Sequence, residues 1–280
     1  MKIAISTEST VDLTKELIEK FDIKTVPFQI LLGNDSYLDG DITTDEIIEF
    51  VNKNKILPKT GAVNDFQYEE HFTNILKDYD AIIHFSISGE MSSAYNNALR
   101  VSKKYKNVYV VDTRTLSTGI ALLAIYARKL ADSGLMPDVI YNKCLSRVSS
   151  VQASFVLQRL DYLYKGGRCN AVSYFAANVF HIRPQIIVKH GKMISGKKYR
   201  GNFGVVVNKY CQDVLAEFNK PDLSVGFVTY TTCDENIIKD AVSYLENQGF
   251  KEIYVTRAGG TITSHCGENC LGILYINDGE

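Results

Sequence analysis

The regular alternation of short apolar runs with helical patterns is the strongest constraint on the fold. The run Lys2–Ser6 is typical of a strand. Leu13, Leu17 and Phe21 follow it at spacings that place them on one face of a helix. Since parallel strands need crossover connections, strands that alternate with helices form mostly parallel sheets. The beginning of the chain therefore predicts a βα unit in a parallel sheet with helices on both faces.

The same pattern occurs twice more in the first half of the chain. Ala81–Ser86 and Val108–Asp112 are apolar runs of strand length. Helical patterns follow the first from about Ser92 and the second over residues 117–132. Before these units, Asn64 stands as a predicted N-cap of another amphipathic helix. These segments extend the parallel sheet and supply helices to cover it.

The second half of the chain has a different character. It begins with a turn-rich Lys165-Gly166-Gly167-Arg168 and a hairpin predicted around Lys189–Gly191, and it ends with a strand at Leu271–Ile276. No long linker or low-complexity tract interrupts it. We therefore predict two closely packed α/β domains, residues 1–150 and residues 151–280. The cleft between them is the expected ligand site.

Charge and hydropathy exclude several classes of protein. The chain has 31 Lys and Arg against 32 Asp and Glu, so it offers no basic field for nucleic acid. Its longest apolar run, Ile120–Ala127, is far short of the roughly 20 residues that span a bilayer. The polar start at MKIAIST lacks the apolar stretch of a secretory signal, so we expect a cytoplasmic protein with six reduced cysteines.

Hydroxyl side chains stand at two predicted junctions between loop and helix. Ser92 and Ser93 precede a helix that follows a strand, where free N–H groups and the helix dipole favour an anion. Thr60 lies in the loop Pro58–Asn64, just before another helix. These groups could bind a carboxylate or a phosphate without an arginine. They could equally serve as an ordinary N-cap and a turn threonine.

A third candidate is His265, in the glycine- and hydroxyl-rich stretch between the last two strands. An imidazole in a loop can bind an anion or move a proton, or it can be a structural group. No metal is predicted, because His265, Cys266 and Cys270 fall short of the four ligands of a closed zinc site. A serine hydrolase using Ser92 and His265 remains an alternative, although the G-x-S-x-G elbow is missing.

Several segments, in order along almost the whole chain, resemble motifs of the DegV family of bacterial fatty-acid-binding proteins. Thr7-Glu8-Ser9-Thr10-Val11-Asp12-Leu13 resembles T-D-S-x-x-D-L, with Glu8 in place of an aspartate. The other matching segments are Tyr37 with Asp39, Val111-Asp112-Thr113, Leu163-Tyr164-Lys165-Gly166-Gly167-Arg168, Arg183-Pro184 and the terminal His265-Cys266-Gly267.

The resemblance implies a mostly parallel, three-layer N-terminal domain and a two-layer C-terminal domain with a mixed sheet. It implies a long-chain fatty acid buried between them. Thr60, Ser92 and His265 would bind its carboxylate, together with the neighbouring Ser93. Arg168 and Arg200 would either lie near the carboxylate of the acid or contact a docking partner.

The resemblance also implies a partner and a role. The protein would carry no catalytic residue, metal or cofactor, would present the acid to a separate ATP-dependent fatty acid kinase, and would touch membranes only transiently to exchange lipid. A lipid sensor without a kinase partner is a further alternative. The departures at Gly61–Asn64, Ser93-Ala94 and Asn269 leave open which acid is bound and whether a kinase is coupled.

Overall fold

A computed structural model describes residues 1–168 and 182–279. The strands of this part are β1 (Ile3–Glu8), β2 (Ile23–Val26), β3 (Gln29–Leu32), β4 (Asp35–Leu38), β5 (Lys59–Gly61), β6 (Ala81–Ser86), β7 (Val108–Asp112), β8 (Val151–Leu157), β9 (Ile182–Lys189), β10 (Lys192–Arg200), β11 (Val225–Tyr230), β12 (Glu252–Arg257) and β13 (Cys270–Ile276). The helices are α1 (Lys15–Lys20), α2 (Thr44–Asn54), α3 (Asp65–Ile75), α4 (Ala94–Ser102), α5 (Thr118–Asp132), α6 (Pro137–Arg147), α7 (Asp161–Lys165), α8 (Phe203–Glu217), α9 (Glu235–Asn247) and α10 (Gly260–Cys266).

The first half contains the parallel sheet that the alternating pattern predicts. Its strand order is β2-β1-β6-β7, and every pair is parallel. All residues of β1 and β6 are buried, as expected of strands covered on both faces. Helices α3 and α4 pack together against this sheet, as do α5 and α6. The predicted mostly parallel α/β fold is therefore confirmed.

The strands after residue 150 form a six-stranded mixed sheet in the order β10-β9-β8-β13-β11-β12. All of its pairs are antiparallel except β11 with β12. The two faces of β13 pack into two different apolar cores. Ile273 and Tyr275 pack in the core that contains side chains of α8. Leu274 and Ile276 pack in the core that contains side chains of α5. This alternation follows the period of two in a strand. Helix α5 thus contacts both the parallel and the mixed sheet.

Two predictions about local structure are wrong. The stretch Pro58–Asn64 contains a short strand rather than only a loop, because β5 pairs with β3 in a three-stranded antiparallel sheet, where Thr60 lies opposite Ile30. The stretch between the last two strands contains helix α10 rather than only a loop. Of its seven residues, one is glycine, two are threonine and one is serine, and tertiary contacts override their weak helix propensity. The hairpin around Lys189–Gly191 is confirmed.

The proposed domain boundary at residue 150 stays a prediction. One apolar core nevertheless continues from the parallel sheet through α5 into one face of the mixed sheet. Within residues 1–168 and 182–279, no helix combines the length and the apolar character that crossing a bilayer requires.

A buried carboxylate joins the strands of the parallel sheet to α3. Glu8, at the end of β1, accepts hydrogen bonds from the hydroxyls of Tyr68 and Ser86, both at 2.6 Å, and from the backbone N–H of Ile87 at 3.0 Å. His84 Nε2 lies 3.2 Å from the same carboxylate. Burial alone would raise the pKa of Glu8, but His84 and the two hydroxyls hold it below its ordinary value.

We predict that Glu8→Ala lowers the free energy of unfolding by about 3–5 kcal/mol, because it leaves several buried donors without an acceptor. Glu8→Gln, which keeps one acceptor oxygen, should cost less. Urea unfolding at pH 7 measures both, with the exposed Glu19→Ala as a control.

The contribution of Glu8 to stability should depend on pH. Since the pKa of Glu8 is depressed in the native state, this contribution is present above the ordinary pKa of 4.5 and declines as the pH falls below it. An Ala variant as stable as the wild type would contradict this role.

Candidate ligand-binding site

A cavity of about 240 Å³ lies between the two halves of the molecule. It brings together five of the six residues singled out from the sequence, from β5, α10 and two helix-flanking loops: Thr60, Ser92, Ser93, Arg168 and His265. The remaining lining is mainly apolar and comprises Phe28, Ala62, Ile87, Met91, Leu116, Leu163, Met193, Thr261, Ile262 and Cys266. An apolar lining with a few polar groups fits an amphiphilic ligand.

His265 and Thr60 form the polar pair of this cavity. His265 Nε2 lies 2.9 Å from Thr60 Oγ1, although the residues are 205 positions apart. His265 Nδ1 is buried and has no hydrogen-bond partner among the described residues. Because buried N–H groups are rarely left unpaired, the proton belongs on Nε2, which donates to Thr60. The Thr60 hydroxyl then keeps its own proton to donate to a ligand.

The imidazole is held neutral by its surroundings. Burial lowers the pKa of His265 to about 4, and the nearby charge of Arg168 contributes in the same direction. Gly166 gives the ring its space, since a Cβ there would lie 2.7 Å from His265 Nδ1. The first glycine of the Gly-Gly pair is therefore required by a close contact. At neutral pH the imidazole is therefore uncharged, and it leaves the Thr60 hydroxyl proton free for a ligand.

Ser92 and Ser93 stand at the beginning of α4, but they differ in exposure and bonding. Ser92 is partly buried, and its Oγ accepts a hydrogen bond from the Ala94 N–H at 3.2 Å. Its own hydroxyl proton remains available to a ligand. Ser93 is exposed at the N-cap position, and its side chain makes no capping bond. Ser92 thus both supports the helix end and lines the cavity.

The two arginines lie in different places. Arg168 is exposed and lines the cavity, and its Nη1 donates to the Gly166 carbonyl at 2.7 Å. Arg200 is exposed at the end of β10 and does not line the cavity. Only Arg168 is therefore placed to act on a group at the cavity mouth.

Helix α10 is fixed by two buried carboxylates. The N–H groups of Gly260 and Thr261 donate to Asp39 at 2.8 and 3.2 Å, and the N–H of Gly259 donates to Asp12 at 2.8 Å. Burial raises the pKa of Asp12 to about 8, although the bonds from Ser117 and Gly259 oppose this effect. Through α10, these bonds fix the position of His265.

The hydrolase alternative finds no support in these distances. His265 Nε2 contacts Thr60, and neither ring nitrogen is hydrogen bonded to Ser92 within the described part of the chain. A nucleophilic serine needs such a base. In residues 1–168 and 182–279, no group of three or more His, Cys, Asp and Glu side chains is placed to hold a metal ion.

A family model described as "Uncharacterised protein, DegV family" matches residues 2–278. The chain belongs to the DegV family. A fatty acid-binding protein of Thermotoga maritima is 30% identical over 285 residues, which cover 97% of this chain and 96% of that protein. In this chain, the DegV motif residues Asp12 and Asp39 are the ones that accept hydrogen bonds from the start of α10.

Solved DegV structures share the whole fold. A fatty-acid-binding DegV family protein from Thermus thermophilus has a TM-score of 0.89 and 22% identity, covering 99% of this chain and 100% of that one. The fatty acid kinase B3 protein of Streptococcus pneumoniae, loaded with linoleic acid, has a TM-score of 0.85 and 18% identity, covering 99% and 100%. The two-sheet α/β architecture is therefore that of DegV proteins.

Sequence reasoning missed the apolar part of the site. Phe28 follows β2, and Met193 comes from β10 of the hairpin. The hairpin tip is held against the first half because Ser88 Oγ donates to the Gly191 carbonyl at 2.8 Å and Arg114 donates to the His190 carbonyl at 2.6 Å. Apolar residues from so many separate segments share no spacing that would group them in the sequence.

We predict that His265 stays neutral down to about pH 4 in the ligand-free protein. A titration of its ring nitrogens by NMR measures this directly. Arg168→Gln should raise the pKa of His265, because it removes a nearby positive charge. Titration of the wild-type ring near its ordinary value of 6.5 would show that the ring is not desolvated as described.

Proposed function

We propose that this DegV protein is a carrier that binds a long-chain fatty acid, with the acyl chain inside the cavity and the carboxylate at its polar end. The observation that carries the proposal is the cavity itself. Apolar side chains from both halves form most of its wall, and the hydroxyls of Thr60 and Ser92 line it as donors, with Thr60 held by His265. The fatty acid-binding relative from Thermotoga maritima supports the same ligand class.

Simple energetics favour an amphiphile over a small polar ligand. Each methylene that leaves water contributes about 0.8 kcal/mol, so the tail supplies most of the affinity. The head group then needs only a few hydrogen bonds, each worth about 1.5–3 kcal/mol when one partner is charged. Neutral donors suit a singly charged carboxylate, which they bind without the desolvation cost of a buried cation.

The carrier would present the acid to a separate ATP-dependent fatty acid kinase, which forms the acyl phosphate. Arg168 supports this part, because it is exposed at the cavity mouth, where a partner could reach both it and the carboxylate. Arg200 is exposed on β10 and is proposed to contact the partner rather than the acid. Contact with membranes would be limited to lipid exchange.

We predict that the purified protein carries about one fatty acid per chain, which solvent extraction and mass spectrometry would detect.

Thr60→Val and Ser92→Ala should each weaken binding by roughly 0.5–3 kcal/mol, because each removes one hydrogen bond to the carboxylate. Ser146→Ala, on the exposed face of α6, is the matched control. A protein without lipid that also takes up no added acid would refute the proposal. Unchanged affinity in both site variants would refute the head-group position.

We predict that the loaded protein stimulates ATP consumption by the fatty acid kinase of the same organism. Arg168→Ala and Arg200→Ala should lower the rate while the bound acid is retained. The exposed Lys239→Ala serves as a control for a surface charge away from the cavity. Retained acid without ATP turnover in the wild type would support a lipid sensor and exclude the kinase partnership.

A further inference from the structure

Two buried polar atoms of residues that line the ligand cavity have no hydrogen-bond partner within the described part of the chain: His265 Nδ1 and Thr261 Oγ1. The ring nitrogen is packed against Gly166, where a Cβ would lie 2.7 Å from it, and Gly166 lies outside the cavity wall. The nitrogen is therefore turned toward Gly166. Thr261 is then the residue whose unused hydroxyl a ligand in the cavity could reach.

The hydroxyl of Thr261 differs from those of its neighbours on α10. Ser264 Oγ donates to the Gly260 carbonyl at 2.7 Å, one turn earlier, and Thr263 Oγ1 lies 3.1 Å from Thr44 Oγ1. Thr261 stands in the first turn of α10, so no helical carbonyl lies one turn before it. Its side chain is 97% buried, with 3% exposed, and its hydroxyl keeps both its proton and its lone pairs.

The backbone of Thr261 is fixed, whereas its hydroxyl can turn. The Thr261 N–H donates to Asp39 at 3.2 Å, which holds this residue in the cavity wall. No hydrogen bond to the described residues holds the hydroxyl in one orientation, and a threonine in a helix adopts either of two rotamers. Rotation about the Cα–Cβ bond can therefore direct the hydroxyl at an atom inside the cavity.

The spacing along α10 indicates which part of a ligand Thr261 faces. Thr261 and His265 are four residues apart, so they share one face of the helix and their Cβ atoms are about 6 Å apart. The ring of His265 holds Thr60, the proposed donor to the carboxylate. With carbon–carbon bonds of about 1.5 Å, this distance spans only the first few carbons of an acyl chain. Thr261 therefore faces the part of the acid next to its carboxylate.

A plain acyl chain and a hydroxylated one have opposite effects on this group. A saturated chain that covers Thr261 excludes water from the hydroxyl and offers it no partner, which is unfavourable for a buried polar group. A hydroxyl on the chain can accept a hydrogen bond from Thr261 or donate one to it. Sites with a buried hydrogen-bonding group discriminate strongly against an analogue that lacks the complementary group.

We propose that Thr261 makes this carrier selective for fatty acids that bear a hydroxyl group close to the carboxylate, of which the 3-hydroxy acids are the representative class. This inference rests on the proposed function and deepens it, since it names the substrate class of the same site. Thr60 and Ser92 bind the carboxylate, and Thr261 recognises the hydroxyl on the chain.

The test compares dissociation constants for palmitic acid, for each enantiomer of 3-hydroxypalmitic acid, and for 16-hydroxypalmitic acid, which carries its hydroxyl at the far end. The wild type should bind one 3-hydroxy enantiomer about tenfold more tightly than palmitic acid. The 16-hydroxy acid should show no such gain. Thr261→Val, which keeps the shape of the side chain, should weaken the preferred enantiomer by at least about fivefold and bind palmitic acid more tightly than the wild type does.

Two further variants separate recognition of the chain hydroxyl from recognition of the carboxylate. Thr261→Ser keeps a hydroxyl at this position, so it should retain the preference for the 3-hydroxy acid. Thr60→Val should weaken palmitic and 3-hydroxypalmitic acid by the same factor, because both acids carry the same carboxylate. Binding of palmitic acid also shows that each variant at position 261 is folded.

The outcomes distinguish the selectivity from the function on which it rests. Equal affinity of the wild type for palmitic acid and both 3-hydroxy enantiomers would overturn the selectivity while fatty-acid binding stands. An equal gain for 16-hydroxypalmitic acid would also overturn it. Equal weakening of palmitic and 3-hydroxypalmitic acid by Thr261→Val would make this residue a further carboxylate donor and contradict the proposal. If no acid binds, the carrier proposal fails and the selectivity fails with it.

Discussion

The site depends on two carboxylates that hold the first N–H groups of a seven-residue helix. Asp12 and Asp39 come from the first half of the chain, whereas the helix belongs to the second. The same helix carries His265 at the polar end of the cavity and Ile262 in its wall. A helix so short has little intrinsic stability, so these bonds set its position. The two halves are thereby joined where the ligand is proposed to bind.

Most of the fold could be predicted because its signals are local. The strands Ala81–Ser86 and Val108–Asp112 have the bounds that the apolar runs predict, and α5 begins within one residue of its expected start. The wrong predictions are the loops expected where β5 and α10 form, and no prediction covers β2, β3, β4 and α2. Both β5 and α10 are short, and both form through partners distant in sequence: β5 pairs with β3, and α10 is capped by Asp12 and Asp39. Local propensity does not contain such information.

The polar end of the site could be predicted better than its apolar wall. Ser92 follows strand β6 and His265 lies between the last two strands, where functional groups gather in α/β proteins, and together with Thr60 they line one cavity. Phe28 and Met193 look like any other core residues in the sequence. Only the folded chain shows that the interior is hollow beside them.

A crystal structure of the protein with a long-chain acid that bears bromine on its last carbon tests the central claim most directly. The account predicts carboxylate oxygens within hydrogen-bond distance of Thr60 Oγ1 and Ser92 Oγ. It predicts the anomalous bromine peak inside the cavity, among its apolar lining residues. A carboxylate bound elsewhere, a reversed acid, or a cavity that stays empty at saturating acid would contradict it.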